Sequence, residues 1–90
     1  MILISYDISD DKLRTRFSKF IQKYGYRLQY SVYEITNSTR MLDNIICEIK
    51  NNFEKLFKQT DSVIIIKTSE NCKITRLGYA SNDENDMIVI

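Results

Sequence analysis

The stretch Arg27-Leu28-Gln29-Tyr30-Ser31-Val32-Tyr33-Glu34-Ile35 alternates with the period of a β-strand. Leu28, Tyr30 and Val32 fall on one face; Gln29, Ser31 and Tyr33 fall on the other, a mixture too polar for plain core. Whether these residues make one long, bent strand, or whether Tyr33-Glu34-Ile35 begins another, sets the topology of everything around them. Upstream, Met1-Ile2-Leu3-Ile4-Ser5-Tyr6 is short and apolar at neighbouring as well as alternate positions, which suits a strand covered on both faces. Ser9-Asp10-Asp11 then supplies a helix cap and first-turn acids. Leu13, Phe17, Phe20, Ile21 and Tyr24 share one helical face, and Gly25 is the expected stop.

Downstream, Thr36-Asn37-Ser38-Thr39 reads as a loop and cap. Met41, Leu42, Ile45, Ile46, Ile49, Phe53, Leu56 and Phe57 form the broad apolar face of a second helix. Asp61-Ser62 breaks it, and Val63-Ile64-Ile65-Ile66 is a buried-type strand. After a turn at Glu70-Asn71, Lys73 to Tyr79 alternates as a strand, residues 80–86 form a polar loop, and Met87-Ile88-Val89-Ile90 is a short apolar strand in need of a partner edge. The pattern points to one α+β domain over residues 1–90, with a ferredoxin-like (βαββαβ) antiparallel sheet and two helices on one of its faces. Two helices cover only one face, yet the first strand and Val63–Ile66 read as buried on both sides. The second face is therefore expected to pack on another copy of the chain, with the segment from residue 80 to Ile90 adding to the partner's sheet or pairing within its own.

Composition narrows the chemistry. The chain has no histidine, which excludes a Ser-His-Asp triad, a Cys-His pair and a histidine base, and leaves carboxylates, Arg, Lys, Tyr or a bound metal. Its two cysteines make neither a usual zinc site nor a disulfide framework, and suit the reduced state of a cytoplasm. No apolar run exceeds four residues, so no membrane span is expected. The net charge of +1 hides an uneven distribution. Lys12, Arg14, Arg16, Lys19, Lys23 and Arg27 follow one another with no acid between them, while Asp83, Glu84 and Asp86 gather near the end.

Three constellations are candidates for function. Asp7 closes an apolar strand, where a carboxylate is costly unless it is paired or metal-bound. Two copies meeting near a two-fold axis would clamp a hydrated magnesium ion, which commonly uses only one or two protein carboxylates. The plainer alternative is that Asp7 joins Ser9 and Asp10 in capping the first helix. Secondly, Lys12, Arg16, Lys19 and Lys23 form a stripe about 16 Å long at about 1.5 Å per residue, long enough to follow several phosphates of a duplex strand, with Arg14 on the opposite flank. Such faces are usually just solvated, but those normally intersperse both signs, as Glu48, Lys50, Glu54 and Lys55 do. Thirdly, most of the six tyrosines read as core, and Tyr33 on the mixed strand face is the best functional candidate. Cys47 points away from its helix's apolar face, with nothing nearby to activate it.

The run Tyr6-Asp7-Ile8-Ser9-Asp10-Asp11, Arg14, and Gly25-Tyr26-Arg27-Leu28-Gln29-Tyr30-Ser31-Val32-Tyr33-Glu34, with the Asp61–Ile66 strand, resembles the CRISPR-associated protein two family over nearly the whole chain. That resemblance implies a cytoplasmic homodimer that bridges integrase dimers during spacer acquisition and holds duplex DNA. It also implies endonuclease activity, dependent on Mg²⁺ or Mn²⁺, on double-stranded DNA or single-stranded RNA, an activity that varies among members. Asp7 matches the family's metal-binding acid, Arg14, Arg16 and Arg27 match arginines implicated in substrate handling, and Tyr33 stands where many relatives carry Phe. A toxin-like ribonuclease acting on messenger RNA is the alternative on the same fold.

Overall fold

The computed structural model describes residues 1–36, 39–69 and 71–78. Strand β1 (Ile2–Asp7) leads into helix α1 (Asp11–Gln22), then strands β2 (Gly25–Gln29) and β3 (Val32–Ile35), helix α2 (Thr39–Asn52), a 3-10 turn (Glu54–Leu56) and strand β4 (Ser62–Lys67). The strands form one antiparallel sheet in the order β2-β3-β1-β4. This is the ferredoxin-like arrangement: each helix returns the chain past one intervening strand, so β1 and β3 occupy the centre.

Residues 27–35 are two strands, and the single long one is corrected. The chain turns at Tyr30-Ser31, and Leu28 is an extra residue between the pairs Arg27–Tyr33 and Gln29–Val32. The turn and this bulge reset the alternation. Tyr33 faces the helices and is fully buried, while Tyr30, placed with Leu28 by simple alternation, is 64% exposed. The bulge also puts Arg27 opposite Tyr33, on the helix side of the sheet.

Local chemistry accounts for the remaining elements. The Asp10 carboxylate caps α1 by accepting from the Leu13 N–H at 2.8 Å. Gly25 is not a left-handed helix stop, because its φ is not positive. Its place at the start of β2 is steric: a Cβ there would lie 1.9 Å from the Glu34 carbonyl oxygen. In α2, Leu42, Ile45 and Ile49 are buried, as is Phe53 just beyond it, whereas Leu56 is exposed because the chain has left the α-helix. Phe53 anchors the core between the helices, its ring 5.1 Å from that of Phe17 and 5.2 Å from that of Phe20.

On β1, Ile2, Ile4 and Tyr6 are buried beneath the helices. Among the described residues, no helix covers the opposite sheet face. Leu3 pairs with Ile66 and Ser5 with Ile64, and these two isoleucines are 45% and 57% exposed. Residues 73–78, expected as a strand, form none: they pair with neither sheet edge, and a strand without a hydrogen-bonded neighbour does not persist. The expected loop of residues 80–86, the strand Met87–Ile90, Tyr79, Glu70 and Asn37-Ser38 lie outside the described residues. No helix among the described residues is long and apolar enough to cross a membrane.

Candidate nucleic-acid interface

Asp7 ends β1 opposite Ser62, on the same sheet face as Leu3 and Ser5 by strand alternation. It is exposed, and no hydrogen bond or ion pair with the described residues engages its carboxylate. The alternative in which it shares the helix cap is corrected: Asp10 alone accepts the cap bond. Ser9 turns elsewhere, donating its N–H (2.9 Å) and its hydroxyl (3.0 Å) to Asp61. Asp61 also accepts the Lys58 N–H, and these backbone donors hold its carboxyl below the usual range.

Helix α1 carries two polar flanks. On one, Lys12, Arg16, Lys19 and Lys23 are all exposed, and Arg16 lies 5.3 Å from the centre of the Phe53 ring. On the other, Arg14 is half-buried; it donates to the carbonyls of Ile8 (3.0 Å) and Ser9 (3.4 Å) and pairs with Asp11. Arg14 thus fastens the β1–α1 junction as well as presenting charge.

Beside Arg14 the helix faces the β2–β3 hairpin. The Tyr33 hydroxyl accepts from Arg27 Nε (3.0 Å), Arg27 Nη2 (2.9 Å) and Gln22 Nε2 (3.2 Å), and shares a 2.8 Å hydrogen bond with the Ser18 hydroxyl. Burial opposes ionisation of this phenol, but the hydrogen bonds with Ser18, Gln22 and Arg27 and the charge of Arg27 outweigh it and lower its pKa. The neighbouring Tyr6, its ring stacked 6.2 Å from that of Tyr33, is pushed the other way, chiefly by burial. Over this network opens a cleft of about 290 Å³, lined by Tyr6, Arg14, Ser18, Lys19, Arg27 and Tyr30 among others.

The fold therefore brings Arg14, Lys19 and Arg27 into one cleft and keeps Lys12, Arg16 and Lys23 on the adjoining surface, with Asp7 on the far side of the sheet. Ser18, Gln22, Tyr6 and Tyr30 are not among the residues expected at the site. A signal for two of them is present in the spacing: Arg14, Ser18 and Gln22 recur every four residues and share one helical stripe.

These features define a small ferredoxin-like domain whose first helix is armed with cations. The profile of the family described as CRISPR associated protein Cas2 matches residues 1–76. A CRISPR-associated endoribonuclease Cas2 from Methanospirillum hungatei is 33% identical over 91 residues, covering 98% of this chain and 97% of the relative. One from Rhodospirillum rubrum is 31% identical, covering 91% of this chain and 64% of the relative. Among solved structures, a hypothetical protein from Thermus thermophilus superimposes with a TM-score of 0.74 at 24% identity, covering 88% of this chain and 90% of the other. Streptococcus pyogenes Cas2 does so with a TM-score of 0.70 at 21% identity, covering 86% and 98%. The chain belongs to the Cas2 family.

Proposed function

We propose that this chain works as a homodimeric spacer-acquisition subunit that grips the backbone of duplex DNA and bridges integrase dimers in the cytoplasm. The observation that carries the reading is the exposed, acid-free row of Lys12, Arg16, Lys19 and Lys23 along α1. Phosphate contacts of this kind position a duplex without reading its sequence. The dimer is supported by the sheet face where Leu3, Ile64 and Ile66 lie together, with no helix of the described residues over that side. The tail after residue 80 is proposed to extend the partner's sheet.

Phosphodiester cleavage is the second part of the proposal, supported by relatives named endoribonucleases. Asp7 shares that face with Leu3, so packing two such faces together carries both Asp7 carboxylates toward the seam. No group of three or more His, Cys, Asp or Glu gathers among the described residues. Asp7 is the carboxylate each chain would bring to a metal ion, and two copies would make a set that suits a largely hydrated Mg²⁺ or Mn²⁺. Such an ion would supply an acidified water and charge neutralisation at the phosphate. The protein's part is to hold Asp7 at the end of a rigid central strand.

The binding reading is tested with a labelled DNA duplex titrated over a range of salt concentrations. The double variant Lys12→Glu/Lys23→Glu is expected to bind more weakly and to flatten the salt slope by about two for each protomer in contact with the duplex, since each phosphate neutralised by a cation adds about 0.9 to that slope. Unchanged affinity and slope reject the stripe. Cleavage of single-stranded RNA and of duplex DNA with Mg²⁺, with chelator, and with Asp7→Ala tests the metal step; activity indifferent to Asp7→Ala removes that residue from the chemistry.

A further inference from the structure

We infer that the cleft between α1 and the β2–β3 hairpin is a separate pocket for a nucleoside phosphate monoester, either a free mononucleotide or the phosphorylated end of a single strand. Its lining brings together Arg14, Lys19 and Arg27, with Tyr6 and Tyr30 beside them and no carboxylate among the described lining residues. Asp11 balances one of the three cations through its pair with Arg14. The remaining charge of about +2 matches a monoester, which carries about −1.5 to −2 near neutral pH. A phosphodiester carries half of that.

Size and shape agree. A cleft of about 290 Å³ lies near the lower bound of small-ligand pockets, about 300 Å³. It takes one nucleotide, and a duplex cannot enter between a helix and a hairpin packed against it. The pocket is also built rather than assembled on demand. Arg27 is clamped by two bonds to the buried Tyr33 hydroxyl and one to Ser18 at 3.3 Å, so its guanidinium is held in place before any ligand arrives. Tyr30 lines the same cleft and is 64% exposed, a large ring available for a base to stack on. Phosphate on the cations and base on Tyr30 is the arrangement that this lining dictates.

This pocket goes beyond the duplex reading: it shares Lys19 with the duplex-binding row, but Lys12, Arg16 and Lys23 are not part of the lining. The test is an NMR titration of the whole chain with adenosine 5′-monophosphate. Adenosine, the diester ApA and inorganic phosphate serve as controls. The monophosphate is expected to shift Ser18, Arg27 and Tyr30 and to bind at least tenfold more tightly than adenosine or ApA. Tyr30→Ala is expected to weaken the monophosphate severalfold while sparing inorganic phosphate; Lys19→Gln is expected to weaken both. A 5′-phosphorylated hexanucleotide and its 5′-hydroxyl twin distinguish a strand end from a free nucleotide. Equal binding of adenosine and its monophosphate overturns the inference, as do shifts centred on Lys12 and Lys23. The variant Lys12→Glu/Lys23→Glu should retain the monophosphate, so loss of duplex binding and loss of this pocket are read separately.

Discussion

The two helix–sheet halves of this domain are filled differently. Where α2 lies against the sheet, the contact is apolar: Ile45, Ile49 and Phe53 pack down, and the outer side of the helix mixes Glu48 with Lys50. Where α1 meets the hairpin, the edge of the contact is a hydrogen-bonded knot of Ser18, Gln22, Arg27 and Tyr33, and the exposed side bears cations of one sign. The α2 half has the economy of a support: oil inside, balanced charge outside. The α1 half holds a guanidinium among partly buried groups, which is unfavourable unless each donor finds an acceptor. The difference separates the half that holds the domain together from the half that meets a polyanion.

The harshest way to break this contrast is to remove what both halves share. Phe53→Ala takes away the ring that touches Phe17 and Phe20 and lies beneath Arg16, and is expected to cost about 3–5 kcal/mol in chemical denaturation. A smaller loss would mean that the two halves are packed more independently than these ring contacts require. Tyr33→Phe sharpens the contrast instead, because it keeps the ring and strips the acceptor from Arg27 and Gln22. Leaving those donors unsatisfied is expected to cost about 1–3 kcal/mol. A double-mutant cycle with Arg27→Leu should recover part of it, and full additivity would show that the knot is not a unit. In the unaltered protein, site-resolved titration should find Tyr33 ionising ahead of Tyr6, following their opposite shifts.

The mildest effect lies where the halves are tied, at Asp61. Its folded pKa is depressed, so its contribution is present above the unfolded value and is lost as pH falls through the folded one. Thermal melts of the native chain should therefore weaken as pH drops below the ordinary carboxylate range. Asp61→Asn should be less stable at neutral pH and should lack that part of the acid loss. A variant whose acid profile matches the parent would show that Ser9 and Lys58 do not depend on this carboxylate.

Both helices are legible in the sequence because their periodicity is strong and unbroken: Leu13, Phe17, Phe20 and Ile21 are the buried face of α1, as the spacing requires. Exposure of the stripe from Lys12 to Lys23 and of Cys47 is legible for the same reason. The hairpin is not. Tyr30-Ser31 contains none of the Gly, Asn or Asp that usually mark a two-residue turn, and a bulge at Leu28 is invisible to any reading based on strict alternation. That one extra residue also hides the site. With Tyr33 assigned to a half-wet face, nothing suggests that its hydroxyl is the hub for Ser18, Gln22 and Arg27, although Tyr33 itself stands out as a candidate. Residues 73–78 fail as a strand because alternation records a capacity for pairing, and pairing needs a neighbour.

The border position of β4 bears on how the protein is handled. Val63-Ile64-Ile65-Ile66 is β-branched throughout and lies on β4, one of the two edge strands of the four-stranded sheet. Short runs of this kind are templates for fibril-like stacking when left uncovered. Asp61 on one side and Lys67 on the other are the gatekeepers that interrupt such growth. Replacing either one with a neutral residue is expected to trade solubility for stickiness.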